Sequence, residues 1–314
     1  MINESDPQSL AVGRYYQKAR KVPIENIIYV SFLGDDASIS AQEFNKIRKV
    51  ILANSYDGIM AYAITWTKPY KVDCMSLTSA LTFGFSNAYC SESCSVTKSS
   101  PFYQDDYSLV EPERIRSENR ISMMLAGQHE KDVFRTIDIG VGADGSFPVA
   151  SAYLLESDDK HRNVAAKAYR YQFERRRSDY IRHQFLEKDF LIGKNNILYY
   201  SVGRKSVPYL GKNTFLPGAV GDHLTSAGGM LTDSYQMSAI RWLEAGATAS
   251  YGTVVEPCNM LDKFPNPLIF LDALEAGASL ITAYWRSVKM PGQGVFIGEP
   301  LAKPFAHKDS VKDL

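Results

Sequence analysis

The stretch Gly246–Cys258, GATASYGTVVEPC, decides how this chain is read. Small residues and β-formers run into Glu256, Pro257 and Cys258, the composition of a buried strand that ends in a turn. A cysteine just past such a strand has three open readings: the nucleophile of an enzyme, a disulfide partner, or plain packing. Upstream, SYQMSAIRWLEAG (234–246) has the spacing of a helix ended by Gly246. Downstream, PLIFLDALEAGASLITAYWRSVK (267–289) predicts one or two helices, and GQGVFIGEPL (292–301) a short closing strand.

The same alternation holds elsewhere. SLAVGRYYQKARKV (9–22) has helical spacing, with Ser9 or Asp6 able to cap it. NIIYVSF (26–32) reads as a buried strand. SAQEFNKIRKVILANS (40–55) reads as an amphipathic helix in which Ser40 and Glu43 have capping-box spacing. GIMAYAITW (58–66) is a second buried strand stopped at Lys68-Pro69, and NNILYYSVG (195–203) and NTFLPGAV (213–220) supply two more. Continuous apolar strands separated by helices indicate an α/β fold, with a mostly parallel sheet flanked by helices. The strands at about 27–32, 59–66, 197–202, 214–220 and 247–255 are expected in one sheet. ISMMLAG (121–127) suggests a short helix, 138–157 a turn-and-strand region, and 160–190 one long helix with a charged face.

The expected division is an N-terminal α/β lobe, 1–150, and a second α/β lobe, 151–314. The first lobe carries a long Ser-, Thr- and Cys-containing excursion at 71–118. The formal charge is +0, from 35 basic and 35 acidic residues, which argues against a nucleic-acid partner. Arg175, Arg176 and Arg177 are offset by Glu174, Asp179, Glu187 and Asp189, so that run reads as a solvated face. No stretch approaches the roughly 20 apolar residues of a membrane span. The N-terminal segment lacks a basic region followed by an apolar one, and opens as though a strand ending at Ile2-Asn3 had lost its start.

Four cysteines, Cys74, Cys90, Cys94 and Cys258, allow three pairings if all are oxidised. CSESC (90–94) is wider than the spacing of most zinc knuckles, so a structural disulfide among Cys74, Cys90 and Cys94 is favoured over a metal site. Asp144-Gly145 is a turn signal without the ligands of a calcium loop. No Gly-rich phosphate loop or other cofactor motif is present, and no cofactor or metal is expected.

The densest polar cluster is GDHLTSAGG (221–229), at a strand end. His223 there has the character of a general base, with Asp222 or Glu256 to orient it and Cys258 or Ser226 as nucleophile. Parallel neighbours deliver their C-terminal loops to one sheet edge, which would bring these five residues to one cleft. The plainer reading is that Asp222 or Thr225 caps the next segment while His223 hydrogen-bonds a loop. His161 beside Asp158, Asp159 and Arg162 reads as a loop or cap, and His129, His183 and His307 take no role.

The blocks NESDPQS, RKVP, CMSLTSAL, DDKHRN, LPGAVGDHLTSAGG, RWLEAGATASYGTVVEPC, KFPNP, AYWRSV and GEPL resemble the marks of a bacterial family of conserved hypothetical proteins. That resemblance covers nearly the whole chain and implies export to the periplasm or beyond, but no activity. The closing half, with its LEAGA helix end, AGASLITAYWRS helix and GEPL, is similar to caspase–haemoglobinase folds, including gingipain-type peptidases. Glu299 stands where those carry Asp. Their His would fall in YYSVGRKSV and their Cys in LPGAVGDHLTS, and neither residue is there. The resemblance therefore implies a non-catalytic or divergent binding or structural module with a protein or peptide partner. The alternative is a peptidase-like hydrolase using a displaced His/Cys or His/Ser site.

Overall fold

The computed structural model describes residues 1–91, 93–104 and 119–307. The 105–118 part of the expected excursion, with Pro112, lies outside them. The chain opens with strand β1 (Ile2–Asn3) and helix α1 (Pro7–Arg20). Asp6, not Ser9, caps α1 by accepting the Gln8 N–H. Next come β2 (Tyr29–Val30), β3 (Ser38–Ile39) and helix α2 (Ala41–Ala53), whose capping box of Ser40 and Glu43 forms as its spacing implies. Strands β4 (Ala61–Ile64), β5 (Lys71–Val72) and β6 (Met75–Ser76) precede helix α3 (Leu77–Phe83).

After the excursion come β7 (Ile121–Met124), α4 (Glu130–Ala143), β8 (Ala150–Glu156), α5 (Val164–Arg175), β9 (Ile181–Glu187), β10 (Ile197–Val202) and β11 (Phe215–His223). Helix α6 (Ile240–Glu244), β12 (Ala249–Thr253), α7 (Pro267–Glu275), α8 (Leu280–Ser287) and β13 (Gly294–Gly298) complete the described chain. The main sheet has eight strands in the order β4-β7-β13-β12-β11-β10-β8-β9. Every neighbouring pair is parallel except β12 and β13. This is the mostly parallel α/β sheet that the strand composition implies. Helices α1, α4 and α6 pack on one face, and α3, α5, α7 and α8 on the other.

Four of the five expected strands share the main sheet. The segment at 27–32 contributes only Tyr29–Val30, paired in parallel with β1. That pair borders the main sheet, because Met1 N donates to the Ala63 carbonyl and Thr65 N to the Met1 carbonyl. Four readings need correction, one of them at 234–246, where helix α6 spans only Ile240–Glu244. ISMMLAG is a buried strand and not a helix, because an apolar run this short takes its form from its neighbours, here β4 and β13. The 160–190 stretch is helix α5 followed by edge strand β9. The Ser178 hydroxyl accepts the Tyr180 and Ile181 N–H groups and turns the chain between them.

The last correction is that 138–143 belongs to α4, despite Gly140 and Gly142, while the rest of 138–157 is the expected turn at Asp144-Gly145 and strand β8. A Cβ on Gly140 would stand 2.5 Å from Glu299 Cγ, so tertiary packing requires glycine there. Glu299 is fully buried and meets Arg20 through Oε1 at 2.9 Å and Oε2 at 2.6 Å, with Tyr16 Oη donating at 3.0 Å. Arg20 also pairs with Asp144. The pair ties α1 to the end of β13, across 279 residues of sequence. Removing one partner of a buried pair strands the other charge. Arg20→Ala should therefore lower the denaturant-unfolding free energy by about 3–5 kcal/mol. Arg20→Lys, which lacks the fork, should fall between it and wild type.

Candidate functional site

Strand β11 places the expected site residues, and its alternation separates them. Successive side chains on a strand point to opposite faces, so Asp222 and His223 cannot meet. Gly221 and His223 face α6. A Cβ on Gly221 would lie 2.1 Å from the Trp242 ring, so only glycine admits that indole. Trp242 Nε1 donates to His223 Nδ1 at 3.0 Å. Indole nitrogen can only donate, which leaves the imidazole proton on Nε2, bonded to the Met237 carbonyl at 2.8 Å. Both ring nitrogens are spent, and burial pulls the ring's pKa down to about 4. His223 is a neutral structural histidine whose bond to Met237 holds a loop.

Asp222 faces the other side, towards α8. It accepts the Tyr251 N–H at 2.8 Å and the Tyr284 hydroxyl at 3.0 Å. Burial pushes its carboxyl up to about 7, against the lowering effect of those bonds. Tyr284 and Tyr199, buried nearby, are raised well above the ordinary tyrosine range, first by desolvation and then by the Asp222 charge.

The other three candidates lie beyond the strand ends. Ser226 is half-buried, and its carbonyl accepts the Thr253 hydroxyl at 3.1 Å. Gly229 and Gly252 lie at a chain crossing. A Cβ on Gly229 would stand 2.3 Å from the Gly252 carbonyl oxygen and one on Gly252 2.3 Å from the Gly228 carbonyl carbon, so those two glycines serve chain crossing. Glu256 is exposed and bends back to accept the Cys258 N–H at 2.8 Å. Cys258 is bonded to Cys94, with Cα atoms 5.3 Å apart, and Cys74 to Cys90 at 5.7 Å. Of the three readings of Cys258, the disulfide is the one formed, and it leaves no thiol. The structure thus brings Ser226 beside the end of β12, parts Asp222 from His223, and among the described residues gives neither Ser226 nor Cys258 a base. Among the described residues no group of His, Cys, Asp or Glu is placed to hold a metal ion.

What sequence reasoning missed lies just outside. The loops after β10 and β11 and the start of α6 enclose two adjoining cavities of about 530 Å3 each. Gln128, Lys205, Leu231 and Tyr235 contribute to the first, and Val207, Tyr209, Leu210 and Lys212 to the second. Ser206, Met237 and Arg241 line both. The spacing of SYQMSAIRWLEAG predicts a helix from 234, but SYQMS forms a loop ahead of α6, and nothing in its composition marks a cavity.

No family model matches the chain, and no curated protein matches it. One solved structure similar to it is "Complex of Porphyromonas gingivalis RgpB pro- and mature domains". The TM-score is 0.46 at 9% identity, covering 96% of this chain and 78% of that one. No residue role passes from that protein to this one.

Two measurements check the site. Alkylation under denaturing, non-reducing conditions should label none of the four cysteines. Asp222 is raised in the fold, so its contribution to stability is full below the unfolded carboxyl pKa and is lost as pH rises towards about 7. Asp222→Asn keeps the acceptor and removes the titration. Its stability relative to wild type should climb by on the order of 1–4 kcal/mol between acid and mildly alkaline pH, read from urea midpoints.

Proposed function

We propose that this chain is an exported, non-catalytic binding module that takes a protein or peptide at the paired cavities beyond β10 and β11. The observation that carries the reading is the state of the two residues best suited to chemistry. His223 has no free nitrogen, and the Cys258 sulfur is in a disulfide. A peptidase of Cys–His type needs both groups free. The cavities, by contrast, are open to a ligand and have polar walls over apolar floors, the usual make-up of a binding site. Two disulfides support an oxidising compartment. No helix of the described residues is long and apolar enough to cross a membrane.

Ser206 lines both cavities from an exposed loop, so Ser206→Trp crowds them without touching the core. Random heptapeptides selected by display on the intact protein should lose about tenfold or more in affinity for this variant. Mass spectrometry should find the bound peptides uncut. Cleavage that survives Cys258→Ser and stops with Ser226→Ala would establish the hydrolase reading in its place.

A further inference from the structure

We propose that the occupant of the paired cavities is an extended acidic peptide segment with apolar side chains at every second position. This rests on the binding reading above and adds the chemistry of the ligand. The side-chain groups left unsatisfied around the cavities are mostly donors. Lys205 and Lys212 form no ion pair among the described residues, and each stands exposed at the rim of one cavity. Gln236 uses its Oε1 on Thr225 and on the Ala227 N–H, which leaves its amide nitrogen to donate. The Thr232 hydroxyl, lining the first cavity, is buried without a partner among the described residues. The lone carboxylate lining the pair, Glu244, is already joined to Arg241. In a chain of zero formal charge, this is a local excess of cations and donors, and it suits a ligand rich in carboxylates and carbonyls.

The floors decide between a peptide and an acidic glycan. Leu231 lies in the first cavity, Val207 and Leu210 in the second, and Met237 between them. Side chains at positions i and i+2 of an extended peptide share a face about 6.6 Å apart, so one strand can present an apolar side chain to each of two cavities that share Ser206, Met237 and Arg241. A uronate chain has no apolar side chain to fill either. Tyr235, 73% exposed, stands at the first cavity, and Tyr209, 54% exposed and packed on one side against Phe190, stands at the second, so each can flank the ligand.

The test uses the intact, oxidised protein and a fluorescent heptapeptide, Glu-Glu-Leu-Glu-Leu-Glu-Glu, with counterparts carrying Gln or Lys for every Glu. The acidic peptide should bind about tenfold or more tightly than the Gln form, and that margin should shrink at about 0.5 M NaCl. The double variant Lys205→Glu, Lys212→Glu should reverse the order of the acidic and Lys forms. Equal binding of all three, no binding of any, or preference for oligogalacturonate would overturn the proposal. Ser206→Trp separates the two levels. Binding that ignores Ser206→Trp would take down the binding reading itself. Binding that Ser206→Trp abolishes but peptide charge does not affect would take down the acidic assignment alone.

Discussion

A single buried carboxylate, Glu299, holds the beginning of the chain against its end. It sits where β13 finishes, and β13 is the strand at which the sheet reverses direction between β7 and β12. A charge in that position is tolerated only with a fitted partner, and Arg20 supplies a two-pronged one while Tyr16 adds a third bond. Both partners come from α1, so α1 must dock for the sheet centre to be satisfied. Helix α4 lies between, and it accommodates the carboxylate stem only by having glycine at 140. One charge thereby fixes a helix, a glycine and the seam of the sheet.

The same demand for satisfied buried polarity shapes β11. Asp222 and His223 are neighbours in sequence, and their side chains lie on opposite sides of the sheet. Each is closed off by an aromatic partner, Tyr284 for the carboxylate and Trp242 for the imidazole. These bonds are made to other buried groups of the fold, so neither side chain presents a free polar atom to a ligand. The groups with the chemistry of an active site are in this way committed to holding α6 and α8 onto the sheet. The cysteines follow the same course, with Cys258 joined across 164 residues to Cys94.

The fold was legible where composition and local chemistry agree. The Ser40 capping box, the apolar strands at 61–64, 197–202, 215–223 and 249–253, and the parallel arrangement all follow from short-range pattern. It was illegible where a distant residue decides. Gly140 lowers the helix propensity of its segment, and only the presence of Glu299 explains why it stands inside α4. Met123 and Met124 read as helix until β4 and β13 flank them. At the site, the sequence singled out 221–229, which lines neither cavity. The plainer reading, that His223 bonds a loop, matches its bond to the Met237 carbonyl. Spacing reveals that Asp222 and His223 are adjacent, but the consequence of strand alternation needs the strand to reach as far as His223. The expected strand stopped at 220, three residues short.

The shape of the cavities depends on hydrogen bonds made within their own walls and on residues behind them. The loop after β11 is braced from within by Ser234 on the Ala227 carbonyl, Ser238 on the Leu231 carbonyl and Gln236 on Ala227. Its outer end is tied to the core by the Tyr70 hydroxyl on Asp233. On the proposed binding reading, a loop fixed this way would lose little freedom, so more of the contact energy would reach the affinity. Met237, which lines both cavities, is held at its carbonyl by His223, and His223 is held in turn by Trp242. The residue that looked most like a catalytic base therefore acts as a pin. It sets the position of a surface it cannot itself reach.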